Sequence, residues 1–351
     1  MKILVAMSGG VDSSVAALLL KQQGHEIAGI TMILGYRDPR GILVTIGETA
    51  ARDAASVCAH LAIPHYTLDC THQFELDVID NFISEYEKGR TPNPCVRCNK
   101  SLKFGALINE MKELGYDHLA TGHYADKGVV LGKDCIKKNK DPRKDQSYFL
   151  WSIDRSVLPQ ILFPLNELEK SDIRRIAAEN NLSVAHKSES QDICFIPDDY
   201  RDFIKERISS NRHGNFVNSA GKVLGKHNGI PFYTIGQRRG LGVSAPAPLY
   251  VESFNLEKNE VVLGYKDEIR SQGLIARQVN LFTDELPSPV AVKIRYSQRE
   301  IPCTARIDGD SLEIIFDEPQ ESVTPGQSAV LYHANCVIGG GVIDKAIHHI
   351  A

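Results

Sequence analysis

Lys2-Ile3-Leu4-Val5-Ala6-Met7-Ser8-Gly9-Gly10-Val11-Asp12-Ser13-Ser14 is the stretch on which the fold turns. An apolar run meets two glycines and then, from Ser13 to Gln23, the amphipathic period of a helix. Strand, tight turn and helix in that order open a βαβ unit. Glycine lets the backbone turn sharply and come close to a ligand. The start of the helix offers unpaired N–H groups and a positive dipole end to an anion. The hydroxyls of Ser13 and Ser14 can cap the helix or contact phosphate, and Asp12 is a carboxylate able to hold Mg²⁺. The loop lacks the Gly-Lys-Ser/Thr of a Walker loop and the Gly-x-Gly-x-x-Gly of a dinucleotide site, so neither a γ-phosphate grip nor a dinucleotide is expected. An ordinary glycine turn has the same composition; the strand before and the helix after carry the reading.

Working outward, residues 26–32 and 64–68 read as strands and 47–61 and 72–87 as helices. Residues 101–114 form another helical pattern, 118–120 a short strand ending at Thr121-Gly122-His123, and 169–180 one more helix. This alternation predicts an α/β fold, a doubly wound parallel sheet that takes ligands at the carboxyl ends of its strands. The pattern changes near Tyr200. Residues 215–264 are rich in Gly, Pro and short β-prone runs, and from Ser271 short strands alternate with turns, among them an Asp308-Gly309 hairpin signal. Three domains are expected: the α/β domain over 1–197, a small central β-rich domain over 198–268, and a C-terminal β-barrel over 269–351.

No apolar run of about 18 residues is present, so a membrane span is not expected. The N-terminal apolar run is too short for a signal peptide, and a cytoplasmic protein is expected. Eight cysteines in 351 residues do not make a disulfide scaffold, so free thiols, inert or catalytic, are the reading. The formal net charge of −4 argues mildly against a nucleic-acid partner unless positive residues are concentrated locally. They are: Lys133, Lys137, Lys138, Lys140, Arg143 and Lys144 form one run, Arg238 and Arg239 a second, Arg295 and Arg299 around Tyr296 a third. A tyrosine beside arginine suits a splayed-out, stacked base. The bland reading of each cluster is a solvated surface.

Thr91-Pro92-Asn93-Pro94-Cys95-Val96-Arg97-Cys98-Asn99-Lys100 is the second informative stretch. Two prolines give a stiff approach to a helix expected near Ser101, which sets Cys98 at a helix N-terminus beside Arg97 and Lys100. A thiolate is favoured there, as a nucleophile or sulfur carrier requires. Zinc is disfavoured, because no second Cys-x-x-Cys exists.

The Ser8–Ser13 loop resembles the pyrophosphate loop of the ATP pyrophosphatase superfamily. Further tracts follow in order: TPNPCVRCN, Ala120-Thr121-Gly122-His123-Tyr124, Lys144-Asp145-Gln146-Ser147-Tyr148-Phe149-Leu150, and Ser190-Gln191-Asp192-Ile193-Cys194-Phe195-Ile196. Thr234-Ile235-Gly236-Gln237-Arg238-Arg239-Gly240, Pro325-Gly326-Gln327 and Gly339-Gly340-Gly341 complete the set. Together they resemble the tRNA-specific 2-thiouridylase family over nearly the whole chain.

The resemblance implies ATP-dependent sulfuration of the wobble uridine of tRNA to 2-thiouridine, through an adenylated uridine and a cysteine persulfide, with release of AMP and pyrophosphate. It implies ATP and Mg²⁺ bound through Ala6, Met7, Ser8, Gly9, Gly10, Val11, Asp12 and Ser13, with Met32 and Gly122. Catalysis falls to Cys98, Cys194 and Asp12. Cys194 receives sulfur from a carrier protein or cysteine desulfurase relay, and Cys98 releases it by forming a disulfide. His123, Lys144, Asp145, Gln146, Arg295, Tyr296 and Gln327 match positions that contact tRNA, and Asn93, Pro94 and Cys95 a segment beside the target base. Cys95, Cys98 and Cys194 make a three-thiol set compatible with a 4Fe–4S cluster. Lys187-Ser188-Glu189-Ser190 reads as a flexible lead-in to Cys194, or as a plain surface loop. Residues 34–47, LGYRDPRGILVTIG, depart from the more acidic, cysteine-bearing stretch usual in the family. Cys58, Cys70, Cys135, Cys303 and Cys336 are read as structural. A small-molecule synthetase with the same loop, and a non-catalytic RNA-binding module, are the competing readings.

Overall fold

The computed structural model describes residues 1–187, 193–196, 199–208 and 213–348. Its first sheet takes β1 (Lys2–Ala6), β2 (Glu26–Arg37), β3 (Leu43–Ile46), β4 (His65–Asp69) and β5 (His118–Thr121). A hairpin of β6 (Ala125–Val130) and β7 (Lys133–Lys138) follows, and β8 (Ile161–Leu162) returns to the first sheet. The parallel order is β4-β2-β1-β5-β8, with β3 antiparallel on the far end of β2.

Alternation along β1 explains the double winding. Ile3 and Val5 face one side, against Val15 and Leu18 of α1 (Val11–Gln22), Ala54 and Val57 of α2 (Glu48–His60), and Ile173 and Ala177. Leu4 faces the other, packing with Leu107, Ile108 and Met111. A strand buried on both faces reads as a continuous apolar run, as β1 does.

The second sheet, in the order β10-β9-β12-β11, contains β9 (Gly214–Asn218), β10 (Val223–His227), β11 (Tyr250–Asn255) and β12 (Glu260–Gly264). The third is a barrel of six antiparallel strands: β13 (Arg270–Leu281), β14 (Val290–Lys293), β15 (Ile301–Asp308), β16 (Ser311–Glu321), β17 (Ser328–His333) and β18 (Cys336–Ile347). Its order is β13-β16-β15-β14-β17-β18, and β13 closes onto β18. The β6–β7 hairpin adds to this sheet through Lys137↔Cys336 and Ile136↔Val337. Tyr148, Trp151, Val330 and Tyr332 share one core with Leu4 and Leu119, so the barrel and the α/β domain are packed together.

Three local features differ from the sequence reading. Residues 34–47 are a hairpin: β2 runs on to Arg37, and Asp38 Oδ1 accepts the N–H groups of Arg40 and Ile42 at the turn (both 2.9 Å). The helical patterns at 72–87 and 101–114 contain π-helical runs, Glu75–Asp80 and Asn99–Ala106. The basic run is largely ion-paired at the surface: Lys133 with Asp284, Lys137 with Asp126, Lys138 with Glu300 and Arg143 with Asp141. No helix among the described residues is long and apolar enough to cross a membrane.

Candidate active site

β1 and β5 are neighbours, with Ala6 opposite Thr121. The chain leaves β1 toward β2 on one side and later enters β5 on the other. The crevice between their carboxyl ends is therefore the topological switch point, where open α/β sheets take ligands. The N–H of Met7 donates to Ile30 O (2.7 Å), and Gly9 turns the chain at φ +64°. A Cβ on Gly9 would stand 2.5 Å from the carbonyl oxygen of Ala50 in α2. Gly10 is the N-cap of α1, and no side chain caps that end. The hydroxyls turn back into the loop instead: Ser14 Oγ donates to Gly10 O (2.8 Å), and Ser13 Oγ accepts from the N–H of Ser8 (3.1 Å). The first N–H groups of α1 are thus left to an incoming anion. Gly122 closes the other side, where a Cβ would stand 2.7 Å from Ser13 N. Met32, half-buried on β2, shares a core with Leu68.

Asp12, on the first turn of α1, has partners no local pattern announces. Lys170 Nζ donates to both its oxygens (2.7 and 2.9 Å) and Tyr124 Oη to one (2.6 Å). Gln146 braces Tyr124 in turn, its Oε1 accepting the Tyr124 N–H (3.0 Å) and its own N–H reaching Tyr124 O (2.8 Å). Lys187 Nζ donates to Gly9 O (3.0 Å) and pairs with Asp53. Two cations, Lys170 and Lys187, therefore flank the anion loop.

The thiols form the second half of the site. The helix Pro94–Cys98 starts with Asn93 Oδ1 accepting the N–H of Val96 (3.3 Å) and runs directly into the π-helical run Asn99–Ala106. This corrects the expected placement of Cys98: it ends the first helical segment rather than starting one, and burial raises its thiol. Lys103, not Arg97 or Lys100, is the cation that opposes the rise. Burial also raises Cys95, again against Lys103. Cys194 is pushed up to about 12 by burial, then by the neighbouring charges of Cys98 and Cys95, with Lys103 opposing. Cys95 and Cys194 keep contact with water although protein surrounds them, as side chains lining a cleft do. Phe195 anchors the Ile193–Ile196 stretch between Phe74, Phe82 and Phe203 (ring centroids 5.3–5.7 Å). Residues 188–190 of the expected lead-in lie outside the described residues.

The two halves meet at Gly122-His123. Gly122 abuts α1, and the ring of the next residue, His123, reaches Thr121 Oγ1 through Nδ1 (2.9 Å) and Lys103 Nζ through Nε2 (3.4 Å). Burial, then the ammonium of Lys103, hold the His123 pKa well below its ordinary value. An ammonium can only donate, so in this bond Nε2 is the acceptor.

Tyr296, 39% exposed, lies against Phe149 (4.6 Å), whose carbonyl accepts from Asn99 Nδ2 (2.9 Å). Arg295 is turned inward, to Ser322 O (2.7 Å) and Thr324 Oγ1 (3.1 Å). Asp145 is buried, its carboxylate accepting from Ser147 and the Asn139 N–H. Gln327 Nε2 donates to the carbonyls of Thr91 (2.9 Å) and Pro92 (3.3 Å). Pro94 is buried, and Lys144 lies next to Asp145 in the same tract.

No three His, Cys, Asp or Glu side chains among the described residues are grouped to hold a metal, Cys95, Cys98 and Cys194 included. Of the other cysteines, Cys58, Cys70, Cys135 and Cys336 are buried, and a hydrogen bond from Cys135 lowers the Cys336 thiol to about 7.

Comparison with known proteins divides the chain into the same three parts as the fold. Residues 1–198 match the tRNA methyl transferase HUP domain, 201–265 the tRNA methyl transferase PRC-barrel domain and 271–343 the aminomethyltransferase beta-barrel domain. The chain is 47% identical over 349 residues to tRNA-specific 2-thiouridylase MnmA 1 of Syntrophus aciditrophicus (strain SB), covering 99% of this chain and 94% of that protein. It is 46% identical over 364 residues to tRNA-specific 2-thiouridylase MnmA of Carboxydothermus hydrogenoformans, covering 99% and 98%. Against that of Syntrophomonas wolfei it is 44% identical over 349 residues, covering 98% and 100%. With similarity of this degree along the whole length of each, the chain belongs to the tRNA-specific 2-thiouridylase (MnmA) family.

Proposed function

We propose that this chain replaces the 2-oxygen of the wobble uridine of tRNA with sulfur, using ATP to activate that oxygen and Cys194 to carry the sulfur. One observation carries the reading. The Gly122-His123 turn abuts the anion-binding start of α1 with its first residue and reaches the cation of a three-thiol cleft with its second.

A carbonyl oxygen is a poor leaving group. Attack of the uracil oxygen on the α-phosphate of ATP converts it into an adenylate, while the N–H groups of α1, with Lys170 and Lys187 beside them, hold the departing pyrophosphate. Mg²⁺ bound to the phosphates, with Asp12 as its protein carboxylate, would neutralise their charge. Sulfur then adds to the activated carbon and AMP leaves. The sulfur comes from a persulfide on Cys194, loaded by a carrier protein or desulfurase relay. The Cys98 thiolate attacks the inner sulfur, so a Cys98–Cys194 disulfide forms and the outer sulfur departs as hydrosulfide. A dithiol reductant then restores both thiols, which suits the reducing cytoplasm. The target base would be flipped toward the cleft past Tyr296 and Phe149, and the barrel formed by β13 to β18 would grip the anticodon stem-loop.

A synthetase acting on a small molecule would need the loop but leave the thiol cleft without work. Labelled sulfide sulfur, unmodified tRNA, ATP and Mg²⁺ separate the readings. Wild type should yield AMP and labelled thionucleoside. With sulfur delivered as persulfide, Cys194→Ser should yield AMP alone, and Asp12→Ala neither. AMP without thionucleoside from the wild type, with a donor present, would reject sulfuration.

A further inference from the structure

Lys103 is a half-buried cation whose hydrogen-bond partner is the His123 imidazole, a group held well below its ordinary pKa. It lies five residues after Cys98, within the π-helical run Asn99–Ala106. In an α-helix five residues advance about 500°, which would turn Lys103 roughly 140° away from Cys98. Hydrogen bonding of the i→i+5 kind widens the turn and returns residue i+5 to the side of residue i. The run thereby returns Lys103 toward the side of the helix that bears Cys98. There Nζ donates to His123 Nε2 (3.4 Å), the imidazole being fixed by Thr121 on its other nitrogen. Among the described residues no carboxylate pairs with Lys103, and its hydrogen bond goes to His123.

Withdrawing an ammonium from water without a counter-charge is costly unless an anion arrives. Cys95 and Cys98 on the helix and Cys194 on the Ile193–Ile196 stretch are the groups here able to become anions. Lys103 is the one cation that opposes the rise of all three. Buried Cys70, raised to about 11 chiefly by burial, also feels Cys98, but Lys103 is not among the groups acting on it.

We propose that Lys103 holds the negative charge that moves through this cleft as sulfur is released, first on the Cys98 thiolate and then on the departing hydrosulfide. The inference rests on the sulfuration reading. In the step concerned, the Cys98 thiolate attacks the inner sulfur of the Cys194 persulfide. The Cys98–Cys194 bond forms, the bond between inner and outer sulfur breaks, and its electron pair leaves with the outer sulfur as HS⁻, which keeps its proton. Two cysteine sulfurs end as a disulfide and the outer sulfur is reduced to sulfide. One negative charge travels from Cys98 to HS⁻, and an ammonium shared by the thiols faces it at both ends.

The test uses the full chain as wild type, Lys103→Gln and Lys103→Arg, loaded at Cys194 by a cysteine desulfurase with ³⁵S-cysteine and mixed with unmodified tRNA, ATP and Mg²⁺. Lys103→Gln should form AMP within about threefold of wild type but discharge the label at least about tenfold more slowly. Lys103→Arg should recover most of the discharge rate, because it keeps the charge. Added sodium sulfide should restore thiolation by Lys103→Gln, since it supplies the released species directly. Unchanged discharge in Lys103→Gln overturns the proposal. So does joint loss of AMP and thionucleoside that sulfide does not rescue, or a tenfold loss in Lys103→Arg, the variant that also decides the matter if Lys103→Gln fails to fold. Wild type that makes AMP and no thionucleoside would instead sink the sulfuration reading itself.

Discussion

Gly122 has almost no room for a side chain. A Cβ there would press on the backbone of Asp12 and Ser13 at 2.7–3.1 Å, and backbone at a helix start cannot swing aside as a flexible side chain can. Gly122→Ala must push α1 away from the end of β5, the two walls of the phosphate crevice. Overpacking of this kind costs about 1–3 kcal/mol. The loss of ATP affinity should exceed the loss of stability, because the displaced groups are the anion-binding N–H groups themselves. Calorimetric titration with ATP beside a thermal melt checks this; full ATP affinity in a folded Gly122→Ala protein would count against the crevice. In the sequence this glycine stood out only through the family resemblance, which places Gly122 among the ATP contacts. Lys170 did not stand out at all: it lies 158 residues from Asp12, and no local period links a lysine at the head of a late helix to a carboxylate in the first loop.

Among the elements, the thiol helix takes its position from the barrel. Thr91 N donates to Pro325 O (2.9 Å), Gln327 Nε2 bonds the carbonyls of Thr91 and Pro92, and Arg90 reaches Ile343 O (3.0 Å) and Asp344 (3.3 Å). These bonds end one residue before Asn93, the cap of the helix that bears Cys95 and Cys98. Gln327→Ala removes two of them, and at about 0.5–1.5 kcal/mol per bond the protein should survive. The helix start should then wander, lowering kcat for thiolation while KM for tRNA changes little. A raised KM at unchanged kcat would instead assign Gln327 to direct contact with RNA. The barrel strands of this joint were legible from the Asp308-Gly309 turn and the alternation beside it, whereas the helix Pro94–Cys98 was not. Nor was the π-helical widening after Cys98, because a change from i→i+4 to i→i+5 bonding leaves the apolar spacing of residues 101–114 nearly intact. Misplacing the helix start also gave Cys98 the wrong cations, Arg97 and Lys100 in place of Lys103.

At the scale of the whole molecule, a chain of net charge −4 must still attract a polyanion. The lysine-rich run of β7 and the loop after it is the obvious sequence signal, yet its side chains are largely answered by Asp126, Asp284, Glu300 and Asp141. A cation already paired gives up one partner to gain another, so its net contribution to RNA affinity is small. Arg238 and Arg239, exposed in the loop before β11, and Arg299, exposed beside Tyr296, pair with no carboxylate among the described residues. They should therefore supply more of the phosphate binding than the denser run. Each phosphate contact to single-stranded or duplex nucleic acid contributes roughly 0.7–0.9 to the slope of log K against log salt. Arg238→Ala with Arg239→Ala should thus flatten that slope for tRNA by about 1.5, whereas Lys133→Ala with Lys137→Ala should leave it nearly unchanged. Affinity measured from low to moderate salt on the two double variants decides the point. Equal flattening in both would mean that tRNA displaces the carboxylates and that the surface ion pairs rearrange when RNA binds.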